Sequence, residues 1–192
     1  MQHPDEGLRQ TLLAMKEEDF SVRAELIAEG TLSEGYHPRM EAVHRSNAAR
    51  LTGIIEQYGW PGKSLVGEEG AEAAWLIAQH AIGAPFMRRC LSLLQRAGSR
   101  GEAPLWQAAM LEDRIRMFEG RPQIYGSQFQ PDEDGETVPV EDGVYDPLQI
   151  RNSGVSELFD IVRIFPVMLK FISKGLQDDQ LPLYFGTLFI DQ

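Results

Sequence analysis

The chain has 192 residues, of which 43% are apolar, enough for one domain that buries roughly 70% of its unfolded surface without staples. With 18 basic against 29 acidic residues and a net charge of −11, it is a poor partner for a nucleic-acid backbone. A single cysteine excludes an internal disulfide framework and a cysteine-rich zinc site.

The N-terminus, MQHPDEGLRQ, lacks the basic and apolar regions of a signal peptide, and no stretch of about 20 apolar residues occurs. A cytoplasmic protein without a membrane span is expected. Asp5 to Glu29 has the spacing of a first helix, with Leu8, Leu12, Met15 and Phe20 to Leu26 as its apolar positions. Asp19 and Arg23 fall one turn apart, and a solvated ion pair worth a few tenths of a kcal/mol is the expected reading, with a site role as the alternative.

Residues 30–38 form a linker ending at Pro38. A second helix, Arg39 to Tyr58, places Val43, Leu51, Ile54 and Ile55 on one face, with His44, Asn47 and Arg50 nearby. Gly59-Trp60-Pro61-Gly62 is a firm break. The segment from Gly67 to Ala81 is alanine-rich and acidic at its start, which suits a closely packed helix with carboxylates near its positive end. His80 falls on or beside its buried stripe. Gly83-Ala84-Pro85 ends that helix and starts another running to Ala97, where Cys90 shares a face with Phe86 and Leu94 and is expected to be a buried, inert thiol.

Gly98 to Pro104 is a polar turn that leads into LWQAAMLEDRIRMFEGRPQIYGSQ, residues 105–128. This stretch reads as an amphipathic helix stopped at Glu119-Gly120, then a short polar-aromatic segment. Three large hydrogen-bonding side chains, Gln123, Tyr125 and Gln128, occur there within six residues, so the unit reads as one wall of a site. The following residues, 129–146, are acidic and rich in turns. Asp134-Gly135 signals a small hairpin or loop, and DEDGE lacks the ligand spacing of a calcium hand. Beyond it, residues 156–192 are an apolar extension with Ser156 as a helix cap, a kink at Pro166 and a strand-like end. The fold class expected is mainly α: one bundle of five to seven helices packed around Trp75, Trp106, Leu76 and Leu111, with a small β-ribbon.

Among residues able to carry chemistry, His80 leads because imidazole moves protons near neutral pH, although a lone histidine on an apolar helix face is more often a hydrogen-bonded core residue. Arg114 shares a face with Met110, Leu111 and Phe118, so it is part-buried and either clamps an anion or pairs with an acid such as Asp19 or Asp113. There is no nucleophile elbow, phosphate loop or HExxH motif, and the four histidines lack metal-type spacing, so neither metal nor cofactor is expected.

Taken together, Gly59-Trp60-Pro61, Ala74-Trp75-Leu76-Ile77 through Gln79-His80, Asp113-Arg114-Ile115, Gly120, Gln123 and Tyr125-Gly126-Ser127-Gln128 resemble a bacterial family known as a domain of unknown function. The resemblance runs over residues 15–155, includes Asp19, Arg23, Asn47 and Leu51, and carries no named activity. It implies a site made of Asn47, His80, Asp113, Arg114, Gln123, Tyr125 and Gln128. Two positions depart from the family's pattern: His44 stands in place of an acid, and Ser127 in place of a threonine.

The function expected is a small enzyme, a hydrolase or transferase, on a polar and possibly anionic substrate. In it His80, Asp113 and Tyr125 are catalytic, and Asn47, Arg114, Gln123 and Gln128 bind substrate. The alternative is a non-catalytic acidic module, immunity- or antitoxin-like, that binds a basic protein and uses the polar motif as structure. A third reading is a homodimer through residues 156–192.

Overall fold

In the computed structural model the described residues are 4–31, 36–131 and 137–139. The protein is mainly helical, with five α-helices among these residues: α1 (Glu6–Ala28), α2 (Pro38–Tyr58), α3 (Lys63–His80), α4 (Ala84–Ser99) and α5 (Leu105–Phe118). A short antiparallel pairing joins β1 (Phe129–Pro131) to β2 (Thr137–Pro139), with Gln130 opposite Val138. The expectations for the acidic loop between these strands, and for everything from residue 140 onward, lie outside the described residues. None of the described helices is long and apolar enough to cross a membrane.

The chain divides into two compact units between Ala108 and Ala109, within α5. The first contains α1 to α4. Its helices start and stop where local chemistry requires. Asp5 caps α1, its side chain accepting a hydrogen bond from the Leu8 amide at 2.9 Å. Pro38 occupies the first turn of α2, where its missing N–H costs nothing, and Gly59 ends that helix at φ +77°, a conformation that favours glycine.

The sequence suggests that α3 begins at Gly67. Instead it begins at Lys63 and passes through a kink at Gly67, whose φ is +72°. The extra turn is held by Glu102. Its carboxylate accepts from the Ser64 amide (2.8 Å) and hydroxyl (2.6 Å), and its carbonyl accepts from the Lys63 amide (3.0 Å). These bonds satisfy amides that a helix start leaves open.

Helices α1, α2 and α3 pack on one another, α1 chiefly on α3. The alanines of α3 make this close approach possible: Ala71, Ala73, Ala74 and Ala78 are all buried. Leu12, Met15 and Leu26 from α1 and Met40 and Leu51 from α2 fill the core, each large side chain contributing about 1.5–3 kcal/mol by burial. Trp75 is buried and its indole N–H donates to the Gln107 carbonyl at 3.1 Å. Trp106, expected in the core, is only half-buried; it meets Trp75 edge-on at 4.9 Å, so one indole shields the other from solvent. Cys90 is fully buried in α4, and burial pushes its thiol up to about 12, as an inert packing residue requires.

At Gly62 the chain passes close against Glu102. A Cβ there would lie 2.7 Å from the Glu102 Cβ and 3.2 Å from its carbonyl oxygen. Gly62→Ala should therefore push Glu102 off the start of α3 and lower stability by about 1–3 kcal/mol in urea denaturation. A variant as stable as the parent would show that this contact is not tight.

Candidate functional site

The apolar stripe of α1 runs Leu8, Leu12, Met15, Asp19, Arg23, Leu26, at steps of three and four residues, and every member is buried. Two charged residues thus occupy core positions. The same holds on α2, where His44 and Asn47 lie in the stripe Met40, Val43, Leu51, Ile54, and on α3, where His80 follows Leu76 and Ile77 into the interior. Because these three helices pack mutually, their polar core residues meet.

Asp19 sits at the centre, only 1% exposed. His80 Nδ1 is hydrogen-bonded to its Oδ2 at 2.8 Å. His44 Nε2 approaches the same oxygen at 3.2 Å, within ion-pair range but outside hydrogen-bond geometry. The two imidazole rings lie 5.3 Å apart, and the hydroxyl of Tyr36 is hydrogen-bonded to His44 Nδ1. Burial is the largest influence on the Asp19 carboxyl and works to raise its pKa. His80, hydrogen-bonded to it, and His44, close beside it, together outweigh burial and hold the group well below the usual carboxylate range.

Asn47 anchors this arrangement. Its amide donates to the Met15 carbonyl at 3.1 Å, one turn before Asp19, which ties α2 to α1 at the level of the cluster. Arg23, one turn after Asp19, is 7% exposed, makes no ion pair among the described residues, and has a buried Nε without a hydrogen-bond partner. The solvated Asp19–Arg23 pair expected from the sequence is thus not what forms. The helix buries both residues, and Asp19 turns to histidines from other helices.

One oxygen or nitrogen each from Asp19, His44 and His80 all lie within 4.8 Å of one another, a set able to hold a metal ion. The histidines lack metal-type spacing in the sequence, yet the fold brings two of them to one carboxylate. The ligands come from three separate helices, and no local spacing announces them. The signal that could have found them is the presence of polar residues at core positions of all three stripes. His37 does not join the set: it caps α2, accepting from the Arg39 amide at 3.1 Å.

The second unit places the remaining predicted residues in a different kind of arrangement. Helix α5 ends at Phe118, a turn through Gly120 (φ +63°) follows, and the chain returns through residues 121–128 over its own helix. Asp113, fully buried, organises this return. Its carboxylate accepts from the amides of Ile124 (2.7 Å), Tyr125 (3.1 Å) and Ser127 (2.9 Å) and from the Ser127 hydroxyl (2.9 Å). Burial raises its pKa, and these four donors hold the rise back.

Gln123 and Gln128 bond each other. The Gln128 amide donates to Gln123 Oε1 at 2.8 Å, and Gln123 Nε2 donates to the Gln128 carbonyl at 3.2 Å. The Gln128 side chain reaches back to the Met110 carbonyl at 3.3 Å. Tyr125 is half-buried, and Arg114 is buried with its guanidinium 5.4 Å from the centre of the Phe118 ring. Asp113 therefore spends its carboxylate on the loop, and the two glutamines brace that loop.

These features define a helical protein with a buried, three-helix Asp–His–His cluster in its first unit and a self-bonded polar loop in its second. The chain belongs to the family of unknown function DUF6624, which it matches over residues 4–165. No curated protein and no solved structure matches it.

Replacing Asp113 by Asn removes one acceptor oxygen and points an amide donor at backbone donors. The loss expected is about 2–4 kcal/mol by urea denaturation, because buried N–H groups are left without partners. A loss under about 0.5 kcal/mol, the range of surface substitutions, would show that the loop does not depend on this carboxylate.

Proposed function

We propose that the protein is a small enzyme, a hydrolase or transferase, whose reacting centre is the Asp19–His44–His80 cluster and whose substrate is polar and anionic. The observation that carries this reading is the convergence of two imidazoles on one oxygen of a carboxylate that is 1% exposed. A packing core has no need of such a group, since burying a charge costs several kcal/mol and an apolar substitute of similar volume is often as stable. His80 keeps the central place that the sequence suggested for it, and Asp19 and His44 join it.

Arg23 supports the anionic character of the substrate. A guanidinium that is 7% exposed and has no counter-ion among the described residues is suited to a bidentate oxyanion, either carboxylate or phosphate. It lies one helical turn from Asp19 and so on the same face. Tyr36, 38% exposed and bonded to His44, leads from solvent to the cluster. In this reading Asp113, Gln123 and Gln128 hold structure instead of substrate, and Asn47 is a positioning residue. That assignment meets the alternative of a non-catalytic acidic binding module halfway, yet such a module leaves the buried Asp–His–His cluster without a purpose.

The test is turnover on a panel of phosphate esters, carboxylic esters and acyl or phosphoryl donors. His44→Ala and His80→Ala, each checked for a parental circular-dichroism spectrum, should lose at least about 100-fold in kcat, the scale of a lost acid–base or electrophilic group. Arg23→Gln should mainly raise KM for the anionic substrates. Full turnover in both folded histidine variants would sink the assignment of the centre.

A further inference from the structure

We propose that Asp19, His44 and His80 bind a divalent transition ion of the zinc type, with the fourth position open to water or substrate. This deepens the reading of the cluster as a reacting centre, although ion binding can be measured whether or not turnover is found. The geometry is close to what such an ion needs. Zinc–nitrogen and zinc–oxygen bonds of about 2.0–2.1 Å in a tetrahedral set put neighbouring ligand atoms roughly 3.3 Å apart. His80 Nδ1 and His44 Nε2 already stand 2.8 and 3.2 Å from Asp19 Oδ2, and the whole set lies within 4.8 Å. The widest separation, up to 4.8 Å, would close to about 3.3 Å around the ion by side-chain movements on fixed helices.

Chemistry narrows the choice of ion. Two imidazoles and one carboxylate suit zinc, iron, nickel or copper, whereas magnesium and calcium prefer oxygen-only sites. Three protein ligands, one short of a closed tetrahedron, are the pattern of catalytic zinc, where the bound water ionises near pH 7.

Two further observations point to a ligand. Asp19 Oδ1 is buried with no hydrogen-bond partner, in a class of atom that folded proteins nearly always satisfy. His44 presents Nε2 toward the carboxylate without hydrogen-bond geometry, while Tyr36 holds its opposite nitrogen. An outer partner on one imidazole nitrogen, fixing the ring so that the other faces the ion, is the usual support of a metal-bound histidine. Asn47 Oδ1 and Arg23 Nε, close along the same helices, are likewise buried without partners, as befits a site completed by an ion, its water and an oxyanion.

The experiment uses the full chain, stripped with a chelator, titrated with zinc by calorimetry and with cobalt(II) by visible absorption. One equivalent should bind with micromolar or tighter affinity, cobalt should give the intense bands of four-coordination, and excess magnesium should not compete. Asp19→Asn, His44→Gln and His80→Gln should each weaken binding by at least about 100-fold, Tyr36→Phe by roughly 10-fold, and His37→Gln not at all. Should any of these variants fail to fold, imidazole nitrogen NMR of the parent chain decides. Zinc must shift His44 and His80 and leave His37 in place. Absence of stoichiometric binding by the folded chain, or binding that survives all three ligand substitutions, overturns the proposal. Tight binding without turnover would instead sink the enzyme reading and leave the ion site standing.

Discussion

The first unit depends on one buried carboxylate. Asp19 sits in the stripe of α1 at a position where Met15 and Leu26 show that the helix otherwise packs apolar side chains. An isolated ionised carboxylate in such surroundings costs several kcal/mol even after relaxation. His44 and His80 offset that cost, and they can do so only because α2 and α3 hold them opposite Asp19. The packing of three helices and the charge state of one side chain are therefore a single constraint. Asn47, bonding the Met15 carbonyl, fixes the register of α2 against α1 that the arrangement requires.

The second unit solves a different problem with similar residues. Its buried carboxylate, Asp113, faces backbone amides instead of side chains, and it substitutes for the strand or helix partners that residues 124–127 lack. The loop thereby obtains a fixed shape without secondary structure of its own. Asp113, Gln123 and Gln128 bond within the loop and to the helix beneath it. Such a hydrogen-bonded polar network defines the local fold well.

Much of the helical layout was legible, because its punctuation is local. Pro38, the Gly59–Gly62 run, Gly83 with Pro85, and Gly120 each act through their own φ angle or missing N–H, and the helices begin or end beside them. The start of α3 was missed because its first turn is secured by Glu102, 38 residues from its bonding partner Ser64. His80 and Asn47 could be picked out as polar residues among apolar ones, but their partners could not. Asp19 was misread because an i, i+4 acid–base pair on a helix is normally solvated, and only the α1 stripe, read strictly at steps of three and four, places it inside. His44 looked like a departure from pattern, yet it is bonded into the centre. In the second unit, Asp113, Gln123 and Gln128 stood out as polar residues close in sequence, but a carboxylate near amides reads equally well as a site or as a loop clamp.

The charge balance bears on how an anionic substrate could approach so acidic a protein. A net charge of −11 repels anions, but at physiological ionic strength that field decays over about 8 Å, so beyond a layer or two of water it does little. What decides binding is the local sum at the cluster. Asp19 contributes one negative charge and Arg23 one positive, and the two cancel. A bound divalent ion would shift the sum to about +2, in a buried environment where each charge acts far more strongly than on the surface. The ion would thus supply both the electrophile and the attraction that the rest of the chain opposes.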